Sequence, residues 1–261
     1  MYKLALLGRD IGYTRSPSVH AAIAKATDED IRFDVSDVTY DALDAAVEKL
    51  LAEYDGFFVT KPYKTDVKKY IGCSAAGSVN VVRCKDGAAF NTDGMGFVRA
   101  LDGRFPDWRD KVKGALVLGA GGAAYSVATE LVKLGKRVYV LNRTLKHALR
   151  LCAQCVGAEL YTNQPTEFVV NCTSLGANGE DVLRALCVLP DFEYAFDLVY
   201  GSGATPFLRR CGANGAQTSD GSDMLVYQAI EGDKILLGRD WDVRSLFDRV
   251  GDILKKQGEN E

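Results

Sequence analysis

Six residues, Gly119-Ala120-Gly121-Gly122-Ala123-Ala124, sit between an apolar run, ALVLG, and a helix-like stretch ending in LVKLG. The run KRVYVLNR follows, so Lys113 to Arg143 has the order and length of a βαβ unit. The six residues fit G-x-G-x-x-A. Gly119 permits a tight turn, Gly121 admits a pyrophosphate to the backbone, and the small Ala124 lets helix and strand pack closely. The helix start then turns unpaired N–H groups and its positive dipole end towards the phosphates. Such glycines also serve turns that merely pack tightly. The strand before and the helix after favour a dinucleotide.

The end of the following strand selects the dinucleotide. A site for NAD places Asp or Glu about 20 residues on, against the ribose 2′-hydroxyl. Here Asn142-Arg143-Thr144 stand there, with Lys146 beyond. No carboxylate repels a 2′-phosphate, Arg143 can pair with one, and Asn142 and Thr144 can hydrogen-bond to it. NADP is the expected cofactor.

A length of 261 residues allows one large domain or two modest ones, and 47% hydrophobic residues supply a core. With 32 Lys+Arg against 35 Asp+Glu the net charge is -3, which argues against a nucleic-acid partner. No stretch is long and apolar enough to span a membrane, and MYKLALLGRD lacks the pattern of a signal peptide. The seven cysteines are therefore expected as reduced thiols of a cytoplasmic protein. Cys152 and Cys155 form a C-x-x-C in a helix-like run without a second pair, and no metal is expected. His20 and His147 are the only histidines, which disfavours a Ser/His/Asp hydrolase. His20 is expected to pack or cap a helix, and His147 to face solvent.

Short apolar runs alternate with helical patterns along the chain, the mark of α/β with a mostly parallel sheet. Strands are expected at 4–8, 32–38 and 56–60. Helices are expected at 16–27, with Ser16 as N-cap and Pro17 at the first position, and at 39–54. A hairpin around Asp86-Gly87 is expected within 79–94. Further strands are expected at 167–173, 194–200 and near Gly215 to Thr218, and helix from Met224 to Gln257.

Three polar groups precede the glycine turn. Thr14-Arg15-Ser16-Pro17 places two hydroxyls before a helix. Thr60-Lys61-Pro62-Tyr63-Lys64 places a hydroxyl and two lysines at a strand end. Asn91-Thr92-Asp93-Gly94 places an amide and a carboxylate on a turn. Each has a bland role as a cap, a turn or a solvated charge. Beside a dinucleotide unit they suggest a polyol or hydroxy-acid site with a Lys–Asp pair for the proton.

Taken together, the chain resembles the shikimate dehydrogenase family. The resemblance rests on TRSPSVH (14–20), VTKPYK (59–64), GSVN (77–80), NTDGMGF (91–97), GAGGAA (119–124), NRT (142–144), NCTSLG (171–176), DLVY (197–200) and GSDMLVYQA (221–229), in the family's order. It implies reduction of 3-dehydroshikimate to shikimate with NADPH, in aromatic amino-acid biosynthesis. Lys64 and Asp93 would be the catalytic pair. Thr14, Ser16, Thr60, Asn80 and Gln228 would bind the substrate, with Tyr200 close by. Gly119, Gly121, Gly122, Ala123, Asn142, Arg143 and Thr144 would hold NADP, with Thr173, Ser174, Gly221 and Met224 near the nicotinamide. The implied fold is an α/β substrate domain, 1–94, completed by C-terminal helices over 224–261, with a Rossmann NADP-binding domain over 95–223 and the active site in the cleft. A monomer or homodimer is expected. The chain departs from the family pattern at Thr14 (serine), Phe58 (asparagine), Lys61 (aliphatic) and Val81 (threonine). A quinate/shikimate dehydrogenase of relaxed specificity and a non-catalytic NADP-binding sensor are the competing readings.

Overall fold

The computed structural model describes residues 1–72, 77–189, 191–201 and 203–258. The chain forms two compact units, Met1–Thr92 with Leu225–Glu261, and Asp93–Met224.

The first unit opens with β1 (Tyr2–Gly8), α1 (Ser16–Thr27), β2 (Ile31–Asp37), α2 (Leu43–Glu53), β3 (Gly56–Val59), β4 (Val81–Arg83) and β5 (Ala88–Phe90). A 3-10 turn, Tyr40–Ala42, takes the place of the first turn expected for the second helix. The sheet order is β2-β1-β3-β4-β5. β1 lies parallel to β2 and β3, while β4 runs antiparallel to β3 and β5. The expected hairpin is thus β4-β5, closed at Asp86-Gly87 with Gly87 at φ +65. It ends at Phe90, because Asp93 opens a helix and does not sit on a turn.

The second unit contains α3 (Asp93–Arg104), α4 (Trp108–Lys111), β6 (Gly114–Leu118), α5 (Gly122–Lys133), β7 (Arg137–Leu141), α6 (Leu145–Gln154), β8 (Ala158–Leu160), β9 (Phe168–Asn171), α7 (Val182–Ala185), β10 (Tyr194–Asp197), α8 (Pro206–Ala213) and β11 (Gln217–Asp220). Its order, β11-β10-β9-β6-β7-β8, is that of a doubly wound dinucleotide fold, and every pairing is parallel. The strand order reverses between β6 and β9, where such sheets place ligands. The chain then returns to the first unit through α9 (Ser222–Leu237) and α10 (Val243–Gly258).

Alternation along the strands builds the first unit's core on both faces of its sheet. Ala5, Leu7, Phe57 and Val59 pack with Leu43, Val47 and Leu50 of α2. Leu4, Leu6, Phe58 and Val81 pack with Leu236 and Leu237 of α9. Each of the Val, Leu and Phe side chains contributes about 1.5–3 kcal/mol when fully buried. The C-terminal helix α9 is therefore part of this core.

Ser16 is not the N-cap expected for α1. It is the first helical residue, and Arg15 holds the cap position without a side-chain bond. The hydroxyl of Thr14, two residues ahead, accepts from the Ser16 amide at 3.3 Å. A Thr two residues upstream can satisfy that donor locally, and this leaves the Ser16 hydroxyl for other partners.

Phe58 faces α9 where the helix carries Gly232. A Cβ at Gly232 would overlap the Phe58 ring, coming within 2.6 Å of Cζ, and would lie 3.2 Å from Val81 Cγ2. Ala normally gains about 1 kcal/mol over Gly inside a helix, but overpacking a tight core costs about 1–3 kcal/mol. The clash wins here. Gly232→Ala is expected to destabilise the protein by about 1–3 kcal/mol, and to become neutral or stabilising in a Phe58→Val background. Urea denaturation of the four proteins checks this, and strictly additive effects would refute the interlock.

Candidate active site

In the first unit the candidate residues gather at the C-terminal ends of β1 and β3. The β1 end leads through the loop to Thr14, whose amide bonds Ile11 O at 2.9 Å. The Thr14 hydroxyl donates to Ser16 Oγ at 3.2 Å, so the two hydroxyls sit side by side. Thr60 follows β3 directly, and its amide donates to Leu7 O of β1 at 2.9 Å. Lys64 is half-buried, and its carbonyl accepts from Val79 N at 2.8 Å, next to Asn80. Lys61 lies on the exposed rim with its ammonium 5.0 Å from the centre of the Tyr13 ring.

Asn80 is 2% exposed and both of its side-chain polar atoms are hydrogen-bonded. Nδ2 donates to Thr92 Oγ1 at 2.9 Å and to Gln228 Oε1 at 3.2 Å, and Oδ1 accepts from Thr92 N at 2.8 Å. Thr92 Oγ1 in turn donates to the Gln228 carbonyl at 2.9 Å. The structure thereby joins Asn80 and Gln228 through Thr92, which the sequence motif contains but to which no role was assigned. Another addition is His20, 1% exposed, which packs on the core as expected and also pairs with Asp233 of α9 at 2.8 Å.

In the second unit the glycine turn follows β6. Gly119 has φ +108, and a Cβ there would lie 3.0 Å from Thr173 Cγ2, so both conformation and space select glycine. A Cβ at Gly121, in contrast, would meet nothing within 4 Å. Gly121 is the N-cap of α5, and Gly122 and Ala123 open that helix half-exposed. This is open space at a helix N-terminus, as a pyrophosphate requires. Beyond β7, Asn142 Nδ2 donates to Thr144 O at 3.0 Å, which holds the turn that presents Arg143 and Thr144 to solvent.

Asn171, at the end of β9, organises the next loop. Its Oδ1 accepts from Thr173 N at 3.0 Å and Thr173 Oγ1 at 2.7 Å, and its Nδ2 donates to Leu175 O and Asp197 Oδ1 at 2.9 and 2.8 Å. Thr173 is half-buried, Ser174 is exposed, and Tyr200 is half-buried beyond β10. Gly221 and Met224 are buried where β11 passes into α9. Asp197 also accepts from Val199 N at 3.0 Å and Thr205 Oγ1 at 2.6 Å. The family resemblance assigned no role to Asn171 or Asp197, although polar residues ending an apolar strand are a visible signal for a site.

Cys152 lies in α6 and Cys155 at its C-cap, where Cys155 Sγ accepts from Thr129 Oγ1 at 3.7 Å. The described cysteines are free thiols; Cys73 lies outside the described residues. His147 is exposed.

Burial pushes the Asp197 carboxyl up from 3.8 to about 6, although three donors oppose the shift. A folded value above the unfolded one means that folding takes up a proton. The stabilisation is full below about pH 4 and is lost as pH rises through about 6, an effect of roughly 3 kcal/mol. Asp197→Asn is expected to remove that slope. Urea midpoints of both proteins between about pH 4 and 7.5 decide it, and parallel curves would contradict the assignment.

Comparison with known proteins identifies the family. A model of the shikimate dehydrogenase substrate binding domain matches residues 6–82, and one of shikimate / quinate 5-dehydrogenase matches residues 103–171. A shikimate dehydrogenase (NADP(+)) of Staphylococcus aureus is 32% identical over 275 residues, covering 97% of this chain and 99% of its own. The crystal structure of shikimate dehydrogenase from Aquifex aeolicus superposes with a TM-score of 0.80 at 28% identity, covering 96% of this chain and 97% of the other. The Thermus thermophilus enzyme in complex with NADP(H) and shikimate gives 0.77 at 27% identity, covering 97% and 100%. With motifs, strand order and whole-length likeness in agreement, this chain belongs to the shikimate dehydrogenase family.

Proposed function

We propose that this protein interconverts 3-dehydroshikimate and shikimate using NADP(H), as a cytoplasmic monomer or homodimer with no nucleic-acid or membrane partner. The observation that carries the reading is the cluster of hydroxyls and amides at the ends of β1 and β3, in a unit that matches the family's substrate-binding model. Thr14, Ser16 and Thr60 supply short hydroxyls, and Asn80 and Gln228 supply amides. This set suits a compact ring bearing several hydroxyls and a carboxylate. In this proposal residues 1–94 and 224–261 serve the substrate and 95–223 the cofactor.

Residues of the second unit fit the dinucleotide. Gly119, Gly121, Gly122 and Ala123 would receive the pyrophosphate, and the open space at Gly121 admits it. Asn142, Arg143 and Thr144 would receive the 2′-phosphate, with no carboxylate from Asn142 to Lys146 to oppose it. Thr173, Ser174, Gly221 and Met224 would border the nicotinamide, and Tyr200 the substrate. The bound nicotinamide supplies the acceptor or donor of hydride. Lys64 Nζ and the Asp93 carboxylate hold and move the proton of the reacting hydroxyl, and the hydroxyl and amide groups fix its orientation. Among the described residues no helix is long and apolar enough to cross a membrane.

Absorbance at the NADPH band tests the proposal, with shikimate or quinate paired with NADP or NAD. Turnover is expected to be fastest with shikimate and NADP. Lys64→Ala is expected to lower kcat by roughly 10²–10⁴-fold while leaving the fold intact. Arg143→Ala is expected to raise the KM for NADP on the order of tenfold and to leave that for NAD nearly unchanged. A folded protein that binds NADPH yet turns over neither acid would instead be a sensor.

A further inference from the structure

The pair formed by His20 and Asp233 lies outside the groups that would touch substrate, and it is the most deeply buried ionisable pair described in the first unit. His20 Nδ1 lies 2.8 Å from Asp233 Oδ2, and the side chains are 1% and 0% exposed. With Asp233 as the carboxylate, which only accepts, the Nδ1–H donates to Oδ2. The imidazole stacks on Phe33 with ring centres 3.9 Å apart and planes at 11°, and it meets Phe58 at 4.5 Å. Asp233 Oδ1 is buried and has no hydrogen-bond partner among the described residues. Burial pushes the Asp233 carboxyl up, and His20 opposes the shift.

Such a pair is a poor source of net stability. Desolvating both groups offsets their attraction, and well-packed apolar side chains of similar volume often do as well or better. Its distinctive contribution is direction, which non-directional apolar packing lacks. The two residues sit on the helices that carry candidate substrate groups. Ser16 and His20 are four residues apart on α1, one above the other on the same face. Gln228 and Asp233 are five residues apart on α9, about 7.5 Å along its axis. α1 packs mainly on α10 and β2, and this bond ties it directly to α9 as well, so it bears on the spacing between the Ser16 hydroxyl and the Gln228 amide.

We propose that His20 and Asp233 form a positioning pair that sets the register of α1 against α9 and thereby the affinity for the substrate, without touching it. The inference rests on the function proposed above and deepens it.

The experiment separates stability from substrate affinity, using the full chain, thermal melts and initial rates with shikimate and NADP. Asp233→Asn keeps an oxygen to accept from Nδ1 but buries an amide with no partner. It is expected to melt earlier than wild type while keeping the wild-type KM for shikimate. The double variant His20→Phe/Asp233→Leu replaces the pair by apolar bulk. It is expected to melt at or above the wild-type temperature, with the KM for shikimate raised on the order of tenfold and that for NADP unchanged. His20→Asn, too short to reach Oδ2, gives the same KM shift should the double variant not fold. A wild-type KM in the folded variants that lack the bond overturns the proposal and leaves the function standing. So does a KM that merely follows melting temperature. Wild-type protein that turns over no shikimate overturns both.

Discussion

The side chain of Asn80 is the joint on which the first unit depends. Its two polar atoms engage the amide and hydroxyl of Thr92 and the side chain of Gln228. Three stretches of chain that converge from very different positions are thus tied by one buried amide. Each bond contributes only about 1 kcal/mol net, whereas leaving such a buried group unpaired costs about 1–3 kcal/mol. The constraint is therefore steep: the end of the sheet, the entry into α3 and the course of α9 must all be right together. The same atoms belong to the proposed substrate site, so the groups that would recognise a ligand are held in place by the fold.

The second unit obeys a different logic. Its parallel sheet needs no single joint, because the βαβ repeat buries strands on both faces and leaves the strand ends to loops. Asn171 and Asp197 end adjacent strands β9 and β10 and bond each other. They stiffen the loop carrying Thr173 beside the glycine turn.

Legibility in the sequence followed the range of the interactions. The unit β6-α5-β7 is readable because strand, turn and helix each announce themselves within a few residues, and the glycines have one good physical use. Short elements such as β8, α7 and α8 carry too few periodic positions to stand out. The cap falls one residue before Ser16, at Arg15, and Thr14 accepts from the Ser16 amide, so the serine opens the helix and does not cap it. Candidate site residues could be named from motifs, but their partners could not. Asn80 and Gln228 are 148 residues apart and His20 and Asp233 are 213 apart, and no local pattern records such pairings. Phe58 stands out as a departure from the family pattern, yet only the structure shows the bare helix face at Gly232 that receives it.

The discontinuity of the first unit bears on how the protein is made. A ribosome releases Met1–Thr92 first, then the whole of Asp93–Met224, and only afterwards the residues that cover Leu4, Leu6, Phe58 and Val81. The nascent amino-terminal segment must wait with one face of its sheet covered only in part, by α1, while the second unit, continuous in sequence, completes itself. The unit whose synthesis begins first is thus finished last, and the interval is the period in which a chaperone would find apolar surface to hold.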